Sequence, residues 1–325
     1  MPGLRKHVHI TSRSSTRPVA DGRPLRGSFV ATPRSPLCSA LSCHDGSSMK
    51  LKKLRLIPEV AQLYSHLESD FEKEIYTAAL RNYCSMGNPI RFNNFAFVIR
   101  ELLTKVVDRL APTEDVKKAK WYSKESEDYE VTRKQQLKFC AQGYFVDTVL
   151  PDWVGEEVDE FIKEYVKLYR KLNQYTHISE KYKGLSPQKS FSFLKDLAVT
   201  FSAILSTLSD IKSHITEEIE REIHDVVFDK LMFESHEALI ELSGQTIVEG
   251  INIEGYWLSR VEPEFIIFEG EGCVECELNY GSKHDGVSMS HDVPFSFCLV
   301  SKIEKVEELY FYEQGMYLDN RSFYE

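Results

Sequence analysis

The hydrophobic pattern of this chain changes its period once, at Gly244, and that change constrains the fold more than any other feature. From about residue 54 to Leu242, apolar side chains recur at steps of three and four, the signature of amphipathic helices. Beyond Gly244 they fall in short runs rich in β-branched and aromatic residues, punctuated by glycine. A helix-period pattern does not settle as a strand, nor the reverse. The expected fold is therefore α+β, an N-terminal helical bundle over 49–242 followed by a small antiparallel β domain over 243–325.

Within the helical part, Ile57, Val60, Leu63, Tyr64, Leu67, Phe71, Ile75 and Ala78 predict one helix over 54–84. Gly87-Asn88-Pro89 separates it from a second, whose stripe is Phe92, Phe95, Ile99, Leu102, Leu103, Val106 and Leu110 and whose stop is Ala111-Pro112. A charged loop is expected over 113–130. Thr132 and Gln135 have capping-box spacing for a short helix through Ala141, with Gly143 as its C-terminal cap. A third long helix is expected from about Glu156 to His177. Ser186-Pro187 supplies a cap and a first-turn proline for helix continuing to Leu242, with a break near Ser213. In the β part, strands are expected at 246–253, 265–268, 274–280, 294–300 and 309–312.

Residues 1–48 stand apart. They carry seven Lys/Arg against two acids, nine serines and five prolines, with no apolar periodicity. Such a segment buries too little surface to offset its ordering entropy. It reads either as an Arg/Ser-rich targeting peptide or as a stretch upstream of a natural start at Met49. With its net +5 removed from a total of −10, the remainder is about −15, which argues against a globally basic nucleic-acid coat but allows a local basic patch. No run of 18 apolar residues predicts a membrane span. The seven cysteines include one CxxC, Cys273 and Cys276, in a strand-like run where i and i+3 face opposite ways. That is a poor zinc pattern, and the thiols suit a reducing cytoplasm. Neither a metal nor a cofactor is expected.

The richest chemistry lies at 168–177. On a helical wheel Val158, Phe161, Tyr165, Leu168, Leu172 and Tyr175 form one apolar stripe. Arg170, Asn173, Gln174 and His177 share the opposite face. At 1.5 Å rise per residue, Arg170 and His177 lie about 10 Å apart, a gap a guanidinium stem can close around one phosphate. Histidine moves protons near neutral pH. Arginine stays charged and grips phosphate in a planar fork. Asparagine orients either group without adding charge. Together they suit phosphodiester cleavage that uses the RNA's own 2′-hydroxyl. A solvated polar face is the plainer explanation of the same residues.

The Arg170-x6-His177 spacing, with Asn173 three residues after the arginine, resembles the R-x4-6-H motif of HEPN ribonucleases, at its wide limit. A longer series resembles the predicted nucleases associated with prokaryotic PIWI systems in anti-phage defence. It comprises the stretches 88–96, 100–102, Ala111-Pro112, Trp121-Tyr122, 132–135, 172–177 and 277–282, followed by Pro294-Phe295. The resemblance implies a metal-independent endoribonuclease of defence or toxin type, a hydrolase that binds RNA and works as a homodimer whose motif helices face a shared cleft. Arg170 would hold the scissile phosphate, His177 would transfer the proton and Asn173 would orient them. A defence-system partner protein is implied as well, with the β domain sensing a trigger or binding that partner.

Other residues have weaker claims. Arg100 sits at the margin of the second helix's stripe, as half of an ion pair with Glu101 or as a phosphate neutraliser beside His177. Gln174, Arg133 and Lys134 are candidate substrate contacts, although a first helical turn is the less favourable end for cations. Glu269, Glu271, Glu275, Glu277 and Asp285 invite a metal-nuclease reading, but Glu277-x-Asn279 lacks the lysine such a site needs, and Lys283 lies beyond the turn. The acidic stretch at 216–229 is expected to be a solvated helix start capped by Thr216. The competing function is a non-catalytic sensor or adaptor that dimerises through the bundle and binds a partner through the β domain.

Overall fold

The computed structural model of the chain describes residues 50–178, 185–282 and 285–324. The readings made for 1–48, Met49 and Lys283 lie outside these residues. Among the described residues there are ten α-helices followed by a four-stranded antiparallel sheet, an α+β architecture as the change of period predicts.

The first predicted helix is three: α1 (Leu51–Arg55), α2 (Pro58–Ser65) and α3 (Asp70–Cys84). Extended Ile57 precedes Pro58 at the first helical position, and the Ser69 hydroxyl caps α3 by accepting from the Glu72 N–H at 3.1 Å. Ile57, Val60, Leu63 and Leu67 remain buried across the breaks, so the stripe continues where the helix does not. Phe71, counted in that stripe, is 58% exposed because Ser69 restarts the helical phase.

Helix α4 (Arg91–Leu110) matches expectation, with Phe92, Phe95, Ile99, Leu102, Leu103 and Val106 buried. The loop expected after it contains α5 (Thr113–Lys118). Helix α6 (Arg133–Gln142) begins with the full reciprocal capping box of Thr132 and Gln135 and ends at Gly143, whose φ of +59° suits a residue without Cβ. Helix α7 (Asp152–Thr176) starts four residues earlier than expected.

Helix α8 (Pro187–Glu218) is uninterrupted at Ser213. The break falls at Ile219, before α9 (Glu220–Phe233) and α10 (Glu237–Leu242). Thr216 is no cap: it lies inside α8 and its hydroxyl donates to the Lys212 carbonyl at 2.8 Å. By length and composition α8 could cross a membrane, but half of its most apolar window is buried in the bundle, where it packs on α2, α6 and α7. That is the profile of a core helix.

Five short strands were expected, and four long ones form: β1 (Gln245–Val261), β2 (Phe265–Tyr280), β3 (Val287–Lys302) and β4 (Lys305–Leu318), paired in sequence order. Gly270 and Gly272 do not end a strand but sit within β2. A Cβ on Gly270 would meet the Phe297 ring at 2.3 Å, and one on Gly272 would meet the Phe295 ring at 2.8 Å. Each ring comes from the residue paired directly opposite on β3. These glycines thus make room for aromatic rings in the ladder. Val274, Cys276 and Leu278 turn inward, and Glu275, Glu277 and Asn279 outward, as alternation predicts. Strand β1 meets α8, α9 and α10, and β4 meets α9.

Candidate functional site

Helix α7 buries Val158, Ile162, Tyr165, Leu168 and Leu172, and half-buries Phe161 and Tyr175. Its opposite face leaves Arg170 and Gln174 exposed and Asn173 half-buried. Arg170 has no ion-pair partner among the described residues. Arg170, Asn173 and Gln174 lie on α7 as the helical wheel placed them, whereas His177, expected on the same helical face, lies outside the helix.

Two contacts fix how α7 lies on α4. The Thr104 and Tyr169 hydroxyls meet at 3.0 Å, and the Asn93 amide reaches the last turn of α7. The helices are therefore antiparallel, with the N-terminus of α4 beside the C-terminus of α7. An aromatic cluster locks that end, with Tyr175 edge-on to Phe92 and Phe193 at centroid distances of 5.0 and 5.5 Å.

The helix stops one residue short of expectation. His177 is exposed and extended, at φ −87° and ψ 123°, with its N–H donating to the Gln174 carbonyl at 3.3 Å. A helix C-terminus leaves its last carbonyls without partners. Here the Thr176 hydroxyl donates to the Asn173 carbonyl at 2.7 Å, and the Asn93 side-chain N–H groups donate to the carbonyls of Tyr175 at 2.7 Å and His177 at 3.4 Å. Asn93 is only 6% exposed. The sequence pattern alone assigns Asn93 no part in the site. The available signal was a polar residue beside the apolar stripe of α4, where burial demands hydrogen-bond partners. Through Asn93 the core of the bundle holds the backbone that carries His177.

Arg100 and Glu101 form the ion pair considered as one alternative, at 2.6 Å, and the guanidinium also lies 5.5 Å from the centre of the Phe97 ring. Arg100 is four residues from Thr104, and Asn173 is four from Tyr169 in the opposite direction. Arg100 therefore lies between the two contacts, on the part of α4 that runs beside the last turns of α7. Arg133 and Lys134 are elsewhere. Arg133 pairs with Asp108 at 3.0 Å, and Lys134 is exposed beside it. Asp108 is fifteen residues along α4 from Asn93 (108 − 93), about 22 Å of helix. Arg170, Asn173, Gln174 and His177 thus follow one another along the last turns of α7 and the residue after it, while Arg133 is held by Asp108 near the C-terminal end of α4.

In the sheet, Glu275 and Glu277 share the outer face, and Gly250 leaves the space that the Glu275 carboxylate occupies. Glu269 and Glu271 line a shallow groove of about 390 Å³ with Trp257 and Tyr317. Cys273 and Cys276 face opposite sides of β2 and cannot grip one ion together. Burial, aided by the charges of Asp292 and Glu249, pushes the Cys276 thiol up to about 11, away from the thiolate a metal needs. Among the described residues no three His, Cys, Asp or Glu side chains form a metal-binding group.

Comparison with known families supplies the class: both parts of the chain match models of nucleases. One model described as "Predicted pPIWI-associating nuclease" matches residues 64–201, and a second of the same description matches 208–324. The chain belongs to these predicted pPIWI-associating nucleases. The two matches meet within α8, the helix shared by bundle and sheet. Comparison with curated proteins and with solved structures finds no match.

Proposed function

We propose that this nuclease is a metal-independent endoribonuclease of HEPN type, acting in prokaryotic defence or as a toxin. The observation that carries the reading is the end of α7. Arg170, with no ion-pair partner among the described residues, a half-buried Asn173 and an exposed His177 follow one another in the chain there, on a backbone held from the core by Asn93, and this supports the reading.

The chemistry follows from these groups. The ribose 2′-oxygen attacks the adjacent phosphorus and gives its proton to the His177 imidazole. Arg170 holds the non-bridging oxygens and offsets the charge that gathers on them. The bond from phosphorus to the 5′-oxygen breaks, leaving a 2′,3′-cyclic phosphate and a 5′-hydroxyl. That leaving oxygen needs a proton as the 2′-oxygen loses one. A single imidazole cannot serve both at once, so a homodimer with two motif helices across one cleft would let the partner subunit's His177 act as the acid. The negative end of α7 is unfavourable for phosphate, and Arg170 would offset it, with Arg100 joining only if it exchanged Glu101 for the phosphate. The family name supports a PIWI-type partner, and the sheet is the part left to meet a partner or trigger. Action in the cytoplasm, where RNA and free thiols persist, completes the proposal.

The test is to incubate purified protein with total RNA, with and without EDTA. Cleavage that survives chelator, spares DNA and yields 2′,3′-cyclic ends is expected. Chelator-sensitive cleavage would refute the mechanism and direct attention to Glu275 and Glu277. No cleavage, with partner binding intact, would favour the adaptor.

A further inference from the structure

Beside His177 the bundle has a pocket of about 250 Å³ to which neither the motif nor the family description assigns a role. Its walls come from three elements: Asn82 of α3, Asn94 and Phe97 of α4, and Thr176 and Ile178, which flank His177 in the chain. Drug-sized ligands fill about 300–1,000 Å³, so this space suits one planar group rather than a peptide helix.

The pocket's chemistry is specific. Phe97 is 52% exposed, so one face of its ring is open for stacking. The Arg100 guanidinium lies 5.5 Å from the centre of that ring but is spent on its ion pair with Glu101. Asn93, between the other two, spends its amide on the end of α7. The side-chain amides of Asn82 and Asn94 make no hydrogen bond among the described residues. Each therefore offers a donor and an acceptor side by side to a ligand. An exposed ring for stacking and two amides with open donors and acceptors form a combination by which proteins hold unstacked RNA bases.

We propose that this pocket binds the nucleobase next to the scissile phosphate, with Phe97 stacking on the base and Asn82 and Asn94 reading its edge. The proposal rests on the ribonuclease reading above, since His177 lies between two wall residues. It makes Asn82 and Asn94 specificity-determining residues. Both amides are half-exposed in the free protein, and an amide edge covered by a base but left unmatched is what produces discrimination.

The experiment has two arms. In the first, the four 3′-nucleoside monophosphates are titrated calorimetrically into the His177→Ala protein, which removes cleavage from the readout. One nucleotide should bind about tenfold tighter than the others, the effect of about one good hydrogen-bond pair. Asn94→Ala and Asn82→Ala should each erase that preference, and Asn94→Asp, which exchanges a donor for an acceptor, should change which base is preferred. In the second, the ends of RNA cut by the unmodified protein are sequenced. One position flanking the cut should be biased, and the bias should vanish in Asn94→Ala. Equal binding of all four nucleotides, unchanged by these substitutions, would overturn the proposal. So would a Phe97→Ala protein that loses its dimer but keeps its base preference, since the pocket would then be an interface between copies. The two readings separate cleanly. Cleavage without base bias removes the pocket and leaves the ribonuclease, whereas selective nucleotide binding without RNA cleavage removes the ribonuclease and leaves the pocket.

Discussion

Replacing Asn93 by alanine tests whether the bundle core positions the candidate catalytic histidine. The side chain is 6% exposed and donates to the carbonyls of Tyr175 at 2.7 Å and His177 at 3.4 Å. Truncation removes one strong and one weak hydrogen bond. A typical bond contributes about 1 kcal/mol net, and a buried acceptor left without a partner costs about 1–3 kcal/mol. The two bonds together put the expected loss at about 2 kcal/mol. For a protein of this size that lowers the melting temperature by about 4–8 °C, at roughly 2–4 °C per kcal/mol. The same change frees the residues after Thr176, and displacement of His177 by about 1 Å can cost about a hundredfold in rate. Asn93→Asp is the sharper variant. It keeps shape but points an acceptor at two acceptors, and should lose more stability than alanine does. Both are read by thermal melting and by RNA cleavage at a temperature where every variant is folded. An Asn93→Ala protein with unchanged melting and unchanged cleavage would refute this account of how His177 is held.

His177→Ala and Arg170→Ala should each lower RNA cleavage by about 10²–10⁴-fold while shifting stability by no more than about 0.5 kcal/mol. Both side chains are exposed, so unfolding of either variant would count against the assigned roles. Sedimentation should show a dimer at micromolar concentration, and a strict monomer with full activity would remove the shared cleft. Gly272→Ala should destabilise by about 1–3 kcal/mol, because its Cβ would lie 2.2 Å from the Asn252 carbonyl oxygen. An unchanged denaturation midpoint would contradict the sheet register. Burial raises the Glu72 carboxyl, but hydrogen bonds and charge from Arg109 outweigh it and hold it below the ordinary value. A depressed carboxyl contributes stability above its unfolded pKa that is lost as pH falls through the folded one. Glu72→Gln should therefore flatten the loss of stability below about pH 4.3, and an unaltered acid limb in urea titrations would refute the assignment. Burial pushes the Cys140 thiol up to about 12, so it should stay unlabelled by iodoacetamide at pH 8 until the protein unfolds.

The sequence by itself determined the α+β division, the stripe of α4, the capping box at Thr132 and the polar face of α7. Each is local: a period, a cap or a helical face is written in residues a few positions apart. It also carried the family, through short stretches in a fixed order. The breaks at Pro58 and Ser69 escaped it because the apolar spacing runs on across them. Glycines 270 and 272 looked like strand ends until Phe297 and Phe295, about 25 residues away in the chain, were found opposite them. Thr216 looked like a cap because the end of α8 is set by tertiary packing rather than by a local stop signal. The wheel placed Arg170, Asn173, Gln174 and His177 together, but the wheel describes one helix. Only the antiparallel pairing of α4 with α7 brought Asn93 under the last turn, and only the packing of α6 on α4 tied Arg133 to Asp108. Helical periodicity specifies which face a residue is on, whereas the partner of that face, and the pocket between them, exist only once two distant segments pack.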